Sequence, residues 1–167
     1  IIFSDFDGTI SKRDVGNRLF HHFSHGKSED PVQRWKEDKI DSRQCLREEA
    51  ELIDDLTEEK LNEFIDGFEI DAGFILFAEF CRANSLPLYI LSDGLDIYID
   101  RLLKKNDLVG LPVLANQAWL GNDGRLNISW PYLRYSCGLC GNCKGYHLRR
   151  LRQPGYKSVY IGDGKSD

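Results

Sequence analysis

Three apolar runs in this chain each end in side chains that can do acid, base or metal chemistry. Residues 1–6 pass from Ile1, Ile2 and Phe3 into Asp5, Phe6 and Asp7, followed by Gly8 and Thr9. Residues 86–91, Leu-Pro-Leu-Tyr-Ile-Leu, run into Ser92-Asp93-Gly94. Residues 158–161, Ser-Val-Tyr-Ile, run into Gly162-Asp163-Gly164 and then Lys165-Ser166-Asp167. Short apolar runs that stop at polar turns read as strands buried on both faces. In an open parallel sheet the carboxyl ends of such strands meet at one crevice, so Asp5, Asp7, Ser92, Asp163 and Asp167 are expected together there. Carboxylates gathered in one pocket repel unless protons or a divalent cation compensate, and an all-oxygen donor set suits Mg²⁺ far better than zinc. The chemistry that follows is a metal-assisted reaction on an anionic substrate. Taken one at a time, Asp5 and Asp7 also read as turn residues and Ser92 as a helix cap.

Such strands need crossovers, and helical patterns lie between them. Phe74, Phe77, Ala78 and Cys81 follow the i, i+3, i+4, i+7 rule, behind Asp71 as N-cap and ahead of Asn84-Ser85 as a stop, which puts Cys81 in the core. A second helix is expected over residues 95–105, with Lys104 and Lys105 near its end to suit the helix dipole. Strand, helix, strand order gives an α/β fold, a Rossmann-like parallel sheet with helices on both faces. Residues 11–70 hold no strand-like run and are dense in charge, with apolar stripes at Leu46, Ala50, Ile53 and at Leu61, Phe64, Ile65, Phe68. They read as a small helical cap, with Thr57-Glu58-Glu59 starting one of its helices. The expected division is therefore a core of residues 1–10 and 71–167 and a cap of 11–70. Residues 112–116 read as a short strand, and residues 118–120 and 126–128 flank Asn122-Asp123-Gly124 as a hairpin.

Composition narrows the partners. The 167 residues are 41% hydrophobic and 29% charged, enough to bury a core. With 22 Lys+Arg against 27 Asp+Glu the net charge is -5, so nucleic acid is not an expected partner. No apolar stretch approaches the roughly 20 residues of a membrane span, and the opening residues lack a basic signal-peptide start, so a cytoplasmic protein without a membrane partner is expected. Five cysteines, three of them within seven positions, suggest reduced thiols or metal ligands rather than disulfides. There is no methionine, the first residue reads as mid-strand, and the last six residues form a motif rather than a packed element. Further sequence beyond Asp167 is expected.

Asp5-Phe6-Asp7-Gly8-Thr9 resembles the first motif of the haloacid dehalogenase superfamily in its phosphatase form. Ser92 after its apolar run resembles the second motif, Lys144 the third, and Gly162-Asp163-Gly164-Lys165-Ser166-Asp167 the fourth. The resemblance implies that Asp5 is a nucleophile forming an aspartyl-phosphate and that Asp7 protonates the leaving alkoxide and then activates water. It implies a metal held by the Asp5 carboxylate, the Asp7 carbonyl and Asp163, with Asp167 in support. Ser92 and the amides near Asp93 and Gly94 would donate to phosphoryl oxygens, and Lys144 would balance the growing negative charge. The cap resembles that of the phosphoserine phosphatases, which suits a small phosphorylated metabolite. Asp14 stands where those enzymes carry an acid facing the substrate amino group, and it reads either that way or as a cap for the helix near Val15. Arg43 and Arg47 could meet a substrate carboxylate or be solvated.

Cys137, Cys140 and Cys143, with His147 four residues later, form a Cys₃His set that could bind zinc. Completed by Cys45 or Cys81, the thiols could instead hold an iron–sulfur cluster, although neither helix position favours it. The other reading is a glycine-rich loop of reduced thiols that aims Lys144 into the pocket. Cys-Gly-Asn-Cys-Lys is also similar to the third-motif region of the methionine-salvage enolase-phosphate phosphatases and of phosphocholine and phosphoethanolamine phosphatases. The expectation is a Mg²⁺-dependent phosphomonoesterase. Two alternatives stand beside it: a phosphotransferase on the same motifs, and a non-catalytic metal-binding or interaction module built on the cysteine loop.

Overall fold

In the computed structural model, which describes residues 1–135 and 138–164, the first apolar run is an interior strand of a sheet. Strand β1 (Ile2–Ser4) pairs in parallel with β2 (Leu88–Leu95), placing Phe3 opposite Tyr89, and with β5 (Val159–Ile161), placing Phe3 opposite Tyr160. Beyond β2 comes β3 (Val113–Leu120), also parallel, and then β4 (Leu126–Ser129), antiparallel to β3, so the order is β4-β3-β2-β1-β5. Phe3, Ile90 and Leu91 have no exposed surface, as unalternating apolar strands in a covered sheet require. Two expectations shift here. Residues 112–116 and 118–120 belong to one strand, whose far end makes the expected hairpin with β4. The second apolar run does not break at Ser92 but stays extended to Leu95, with an irregularity in its pairing to β3 between Leu91 and Leu95.

The sheet is flanked by helices α5 (Ala72–Ala83), α6 (Asp96–Lys105) and α7 (Lys144–Leu151). Asp71 caps α5, its carboxylate accepting from the Gly73 amide at 2.8 Å, and Phe74, Ala78 and Cys81 turn inward as their spacing predicts.

Between β1 and α5 the chain leaves the core and builds α1 (Val15–Phe23), α2 (Glu29–Lys36), α3 (Ser42–Glu51) and α4 (Glu58–Asp66). Entry and exit strands meet at a neck, where Ser11 pairs with Ile70 and the Asp71 amide donates to the Ile10 carbonyl at 2.9 Å. Asp41 and Thr57 cap α3 and α4 by accepting from Gln44 and Lys60 amides. The cap is tied to the core beyond the neck as well. Arg101 on α6 holds Asp66 at the end of α4, its Nε donating at 2.9 Å. At the other side the Ser42 hydroxyl, opening α3, donates to Asp93 at 2.7 Å and accepts from the Gly141 amide at 3.2 Å. No helix among the described residues is long and apolar enough to cross a membrane.

Candidate active site

Parallel pairing brings the carboxyl ends of β1, β2 and β5 to one edge, and the chemistry-bearing residues gather there. Asp5, directly after β1, is 7% exposed and accepts from the Phe6 amide through Oδ1 at 2.7 Å. Its other oxygen lies 2.9 Å from the Lys144 ammonium, which is also buried. Lys144 opens α7, where a cation opposes the helix dipole, and the negative charges of Asp5 and Asp93 offset that cost.

Asp7 is held from both sides. Its Oδ1 accepts from the Val15 amide at 2.8 Å, and its Oδ2 accepts from the hydroxyl of Tyr98 at 2.7 Å. Burial, and then the nearby negative charge of Asp14, push the Asp7 carboxyl up to about 7, against these hydrogen bonds. Two carboxyl groups of one turn therefore differ in environment: Asp5 faces a cation, and Asp7 is poised to carry a proton near neutrality.

Gly94 sits where Ser92, Asp7 and Tyr98 meet. A Cβ there would lie 1.9 Å from the Tyr98 hydroxyl, 2.8 Å from Asp7 Oδ2 and 3.0 Å from Ser92 Oγ. Tyr98 is fully buried, so the ring has no room to give way. Gly94→Ala is expected to break the Tyr98 contact to Asp7, lower stability by about 1–3 kcal/mol and reduce kcat by roughly 100-fold. Thermal unfolding and steady-state kinetics read both effects.

Asp163 comes against the first loop from β5. Thr9 Oγ1 donates to it at 3.0 Å, and its Oδ2 is 2.5 Å from where a Cβ on Gly8 would stand. Gly8 also has φ +78°, so glycine is required there twice over. Asp167 and Cys137 lie outside the described residues. The Asp5 carboxylate, the Asp7 carbonyl and Asp163 are an all-oxygen donor set of the kind that suits Mg²⁺, and they fit that ion.

Other expected residues take different roles. Asp93 is not turned to a ligand: its buried carboxylate accepts from Ser42, from Asn116 at 3.1 Å and from the Asn142 amide at 2.7 Å, and burial pushes it upward. The Gly94 amide, expected as a free donor, is bonded to Ser92 Oγ at 3.0 Å, because the chain stays extended to Leu95 and the helix begins only at Asp96. Asp14 is the N-cap of α1, accepting from the Asn17 amide at 2.8 Å, and its pKa is raised chiefly by burial. Arg43 is held by Asp41 at 2.7 Å and the Gly138 carbonyl, its Nε making no bond among the described residues, and Arg47 lies over the Trp130 ring at 5.4 Å, so both have partners within the protein.

The cysteine loop positions the lysine. Asn142, 1% exposed, donates its side-chain amide to the Ser92 carbonyl at 2.8 Å and the Leu114 carbonyl at 2.6 Å, stapling the loop to β2 and β3. Since its nitrogen is donating, its Oδ1 must accept, so Nε2 of His147 at 2.6 Å carries the hydrogen. Burial pushes His147 down to about 4, keeping it neutral. Among the described residues no three His, Cys, Asp or Glu side chains converge to hold a metal ion, so the zinc expectation at Cys140, Cys143 and His147 finds no support in the geometry. Cys45, Cys81 and Cys143 are free thiols, and Cys45 and Cys81 are buried in their helices.

Sequence reasoning missed Tyr98, Ser42, Asn116 and Asn142. Asn142 had a signal, being two residues before Lys144 in a glycine-rich loop. Tyr98 and Ser42 had none beyond helical spacing, since their partners are 91 and 51 residues away.

This sheet order, inserted helical cap and paired Asp5–Lys144 define the class of haloacid dehalogenase-type phosphatases, phosphoric monoester hydrolases. A family model described as Putative Phosphatase matches residues 1–167, and the chain belongs to that family. A 2-hydroxy-3-keto-5-methylthiopentenyl-1-phosphate phosphatase of Brevibacillus brevis is 26% identical over 170 residues, covering 100% of this chain and 76% of that protein. Among solved structures, a HAD family hydrolase of Salmonella enterica serovar Typhi superposes with TM-score 0.78 at 19% identity, over 99% of this chain and 56% of that one. A substrate-bound phosphoserine phosphatase does so with TM-score 0.74 at 21% identity, over 99% of this chain and 78% of that one. The chain thus spans about three quarters of its curated relative and just over half of the Salmonella hydrolase.

Proposed function

We propose that this chain is a Mg²⁺-dependent phosphatase that hydrolyses a small phosphomonoester through an aspartyl-phosphate on Asp5. The observation that carries the reading is the contrast between Asp5, paired with Lys144 at 2.9 Å, and Asp7, clamped by Tyr98 and the start of α1 and raised to about 7. An oxygen of Asp5 attacks phosphorus as the bond to the leaving oxygen breaks, and the proton of Asp7 passes to that oxygen. Asp7, now a carboxylate, takes a proton from water, whose oxygen attacks phosphorus and breaks the bond to Asp5, releasing phosphate. Lys144 offsets charge on the phosphoryl oxygens, and Ser92 donates to them from the end of the apolar part of β2. A bound Mg²⁺, held by Asp5, the Asp7 carbonyl and Asp163 with Asp167 in support, would supply further charge neutralisation.

The substrate class follows from the cap. The Brevibacillus brevis relative is named for a phosphorylated hydroxy-ketone, and a leaving group of that kind, uncharged and oxygen-rich, suits a crevice whose nearby arginines are engaged elsewhere. Phosphate release from a panel of hydroxy-ketone, polyol and amino-acid phosphates, with Mg²⁺ and with chelator, tests this. Activity abolished by chelator and highest on uncharged leaving groups is expected. Undiminished activity in chelator would overturn the metal's role, and preference for phosphoserine would overturn the substrate class.

A further inference from the structure

Helix α3 opens where the cap meets the two loops that carry the phosphate-handling groups. Asp41 already caps this helix, accepting from the Gln44 amide at 2.8 Å, so the Ser42 hydroxyl is not needed for capping. It turns out of the cap instead. The hydroxyl donates to Asp93 Oδ2 at 2.7 Å and accepts from the Gly141 amide at 3.2 Å. The Ser42 amide is among the first of its helix, where no intrahelical partner exists, and it donates to the Leu139 carbonyl at 3.1 Å. Next to it, Arg43 donates to the Gly138 carbonyl at 3.1 Å. The start of α3 therefore grips the run of residues that leads to Lys144, and grips β2 directly after Ser92. Ser42 is buried, and a buried hydroxyl is worth its desolvation only where both its bonds are made.

Asp93 passes the contact on. While Oδ2 takes the Ser42 hydroxyl, Oδ1 takes the Asn142 amide at 2.7 Å and the Asn116 side chain at 3.1 Å, so the carboxylate is fixed from both sides. Asn142 stands two residues before Lys144, whose ammonium lies 2.9 Å from Asp5. We propose that Ser42 is a positioning residue of the reaction: from the cap it fixes the Asp93 carboxylate and the Gly141 amide, and through them it holds Lys144 in register with Asp5. This rests on the phosphatase reading given above. The cap then does more than cover the crevice, because one of its residues sets the geometry of a charge-balancing group in the core.

The test uses the best ester of the phosphate panel. Ser42→Ala is expected to lower kcat roughly 10-fold with KM within about threefold. The loss is smaller than for Asn142→Ala, because the Asn142 side chain still holds the Ser92 and Leu114 carbonyls. Solvent exchange of the Asn142 amide, followed by NMR, should become at least about fivefold faster in Ser42→Ala, although its own acceptor, Asp93, is unaltered. Ser42→Thr, which keeps the hydroxyl, should return kcat to within about threefold of the parent. Thr57→Ala removes a cap bond from α4 instead, and it is expected to lower Tm comparably while leaving kcat and Asn142 exchange within about twofold of the parent. Should Ser42→Ala fail to fold, Ser42→Cys, whose thiol is only a weak donor, reads the same split. Unchanged kcat in Ser42→Ala, a fall in kcat without faster Asn142 exchange, or an equal fall in Thr57→Ala would each overturn the role, as would a folded Ser42→Thr as slow as Ser42→Ala. A parent that releases phosphate from no ester of the panel would remove the phosphatase reading, whereas amide exchange, which needs no turnover, still decides whether Ser42 fixes the loop.

Discussion

Asp5→Asn will lose at least about 10⁴-fold in kcat while remaining folded, because an amide oxygen cannot replace the carboxylate that attacks phosphorus. The geometry adds a second expectation. Asp5 lies 2.9 Å from Lys144 inside a site where the lysine is 8% exposed, so the substitution takes one negative charge away from a buried ammonium that Asp93 also faces. Stripping one member of a buried pair costs about 3–5 kcal/mol. The amide oxygen of asparagine can still accept from Lys144, so the loss should fall below that range. Circular dichroism with thermal unfolding measures it, and acid-quenched enzyme mixed with labelled substrate should show covalent phosphate in the parent and none in the variant. Full turnover by a pure, folded Asp5→Asn protein would remove Asp5 from the nucleophile's role.

Asn142→Ala carries the second large effect, on stability and activity together. The side chain satisfies two main-chain carbonyls, at Ser92 and Leu114, and the Nε2 hydrogen of His147, all at 2.8 Å or less. Alanine removes all three bonds, for an expected loss of about 3–5 kcal/mol and a Tm lower by roughly 10 °C. Because the same side chain ties the loop before Lys144 to β2, the ammonium should lose its register with Asp5, and kcat should fall by roughly 100-fold in the protein that remains folded. A Tm within about 2 °C of the parent together with unchanged kcat would show that the loop is held by something else.

These two positions differ in how far the sequence alone could reach them. Asp5 and Asp7 were legible because strand ends in a parallel sheet converge whatever the surrounding residues are, and because the apolar run before them is short and unbroken. The helices were legible for a similar reason: Asp71 and Thr57 cap where their periodic stripes begin, and capping is a local bond between residues two or three apart. The division of residues 112–120 into two strands failed because a polar Asn116-Gln117 pair looks like a break, yet Asn116 is buried and used by Asp93. The zinc expectation had the right ligand types, although its spacing is short for such a site; among the described residues no three of them converge, and His147 Nε2 is turned to Asn142. Spacing along a chain does not say which way an imidazole turns.

What the sequence by itself determined about this protein is therefore the class of chemistry: hard oxygen donors at the ends of parallel strands, of which β1 and β2 are buried while β5 leaves Val159 and Ile161 exposed, a lysine in a glycine-rich loop, and a helical insertion over them. What only the tertiary structure decided is which partner each polar group meets. Tyr98 holds Asp7 across 91 residues, Ser42 holds Asp93 across 51, and Asn142 holds Ser92 across 50. Propensity and periodicity are properties of neighbouring residues, whereas the pairing and protonation of a buried polar group depend on contacts and desolvation that exist only once distant segments have packed together.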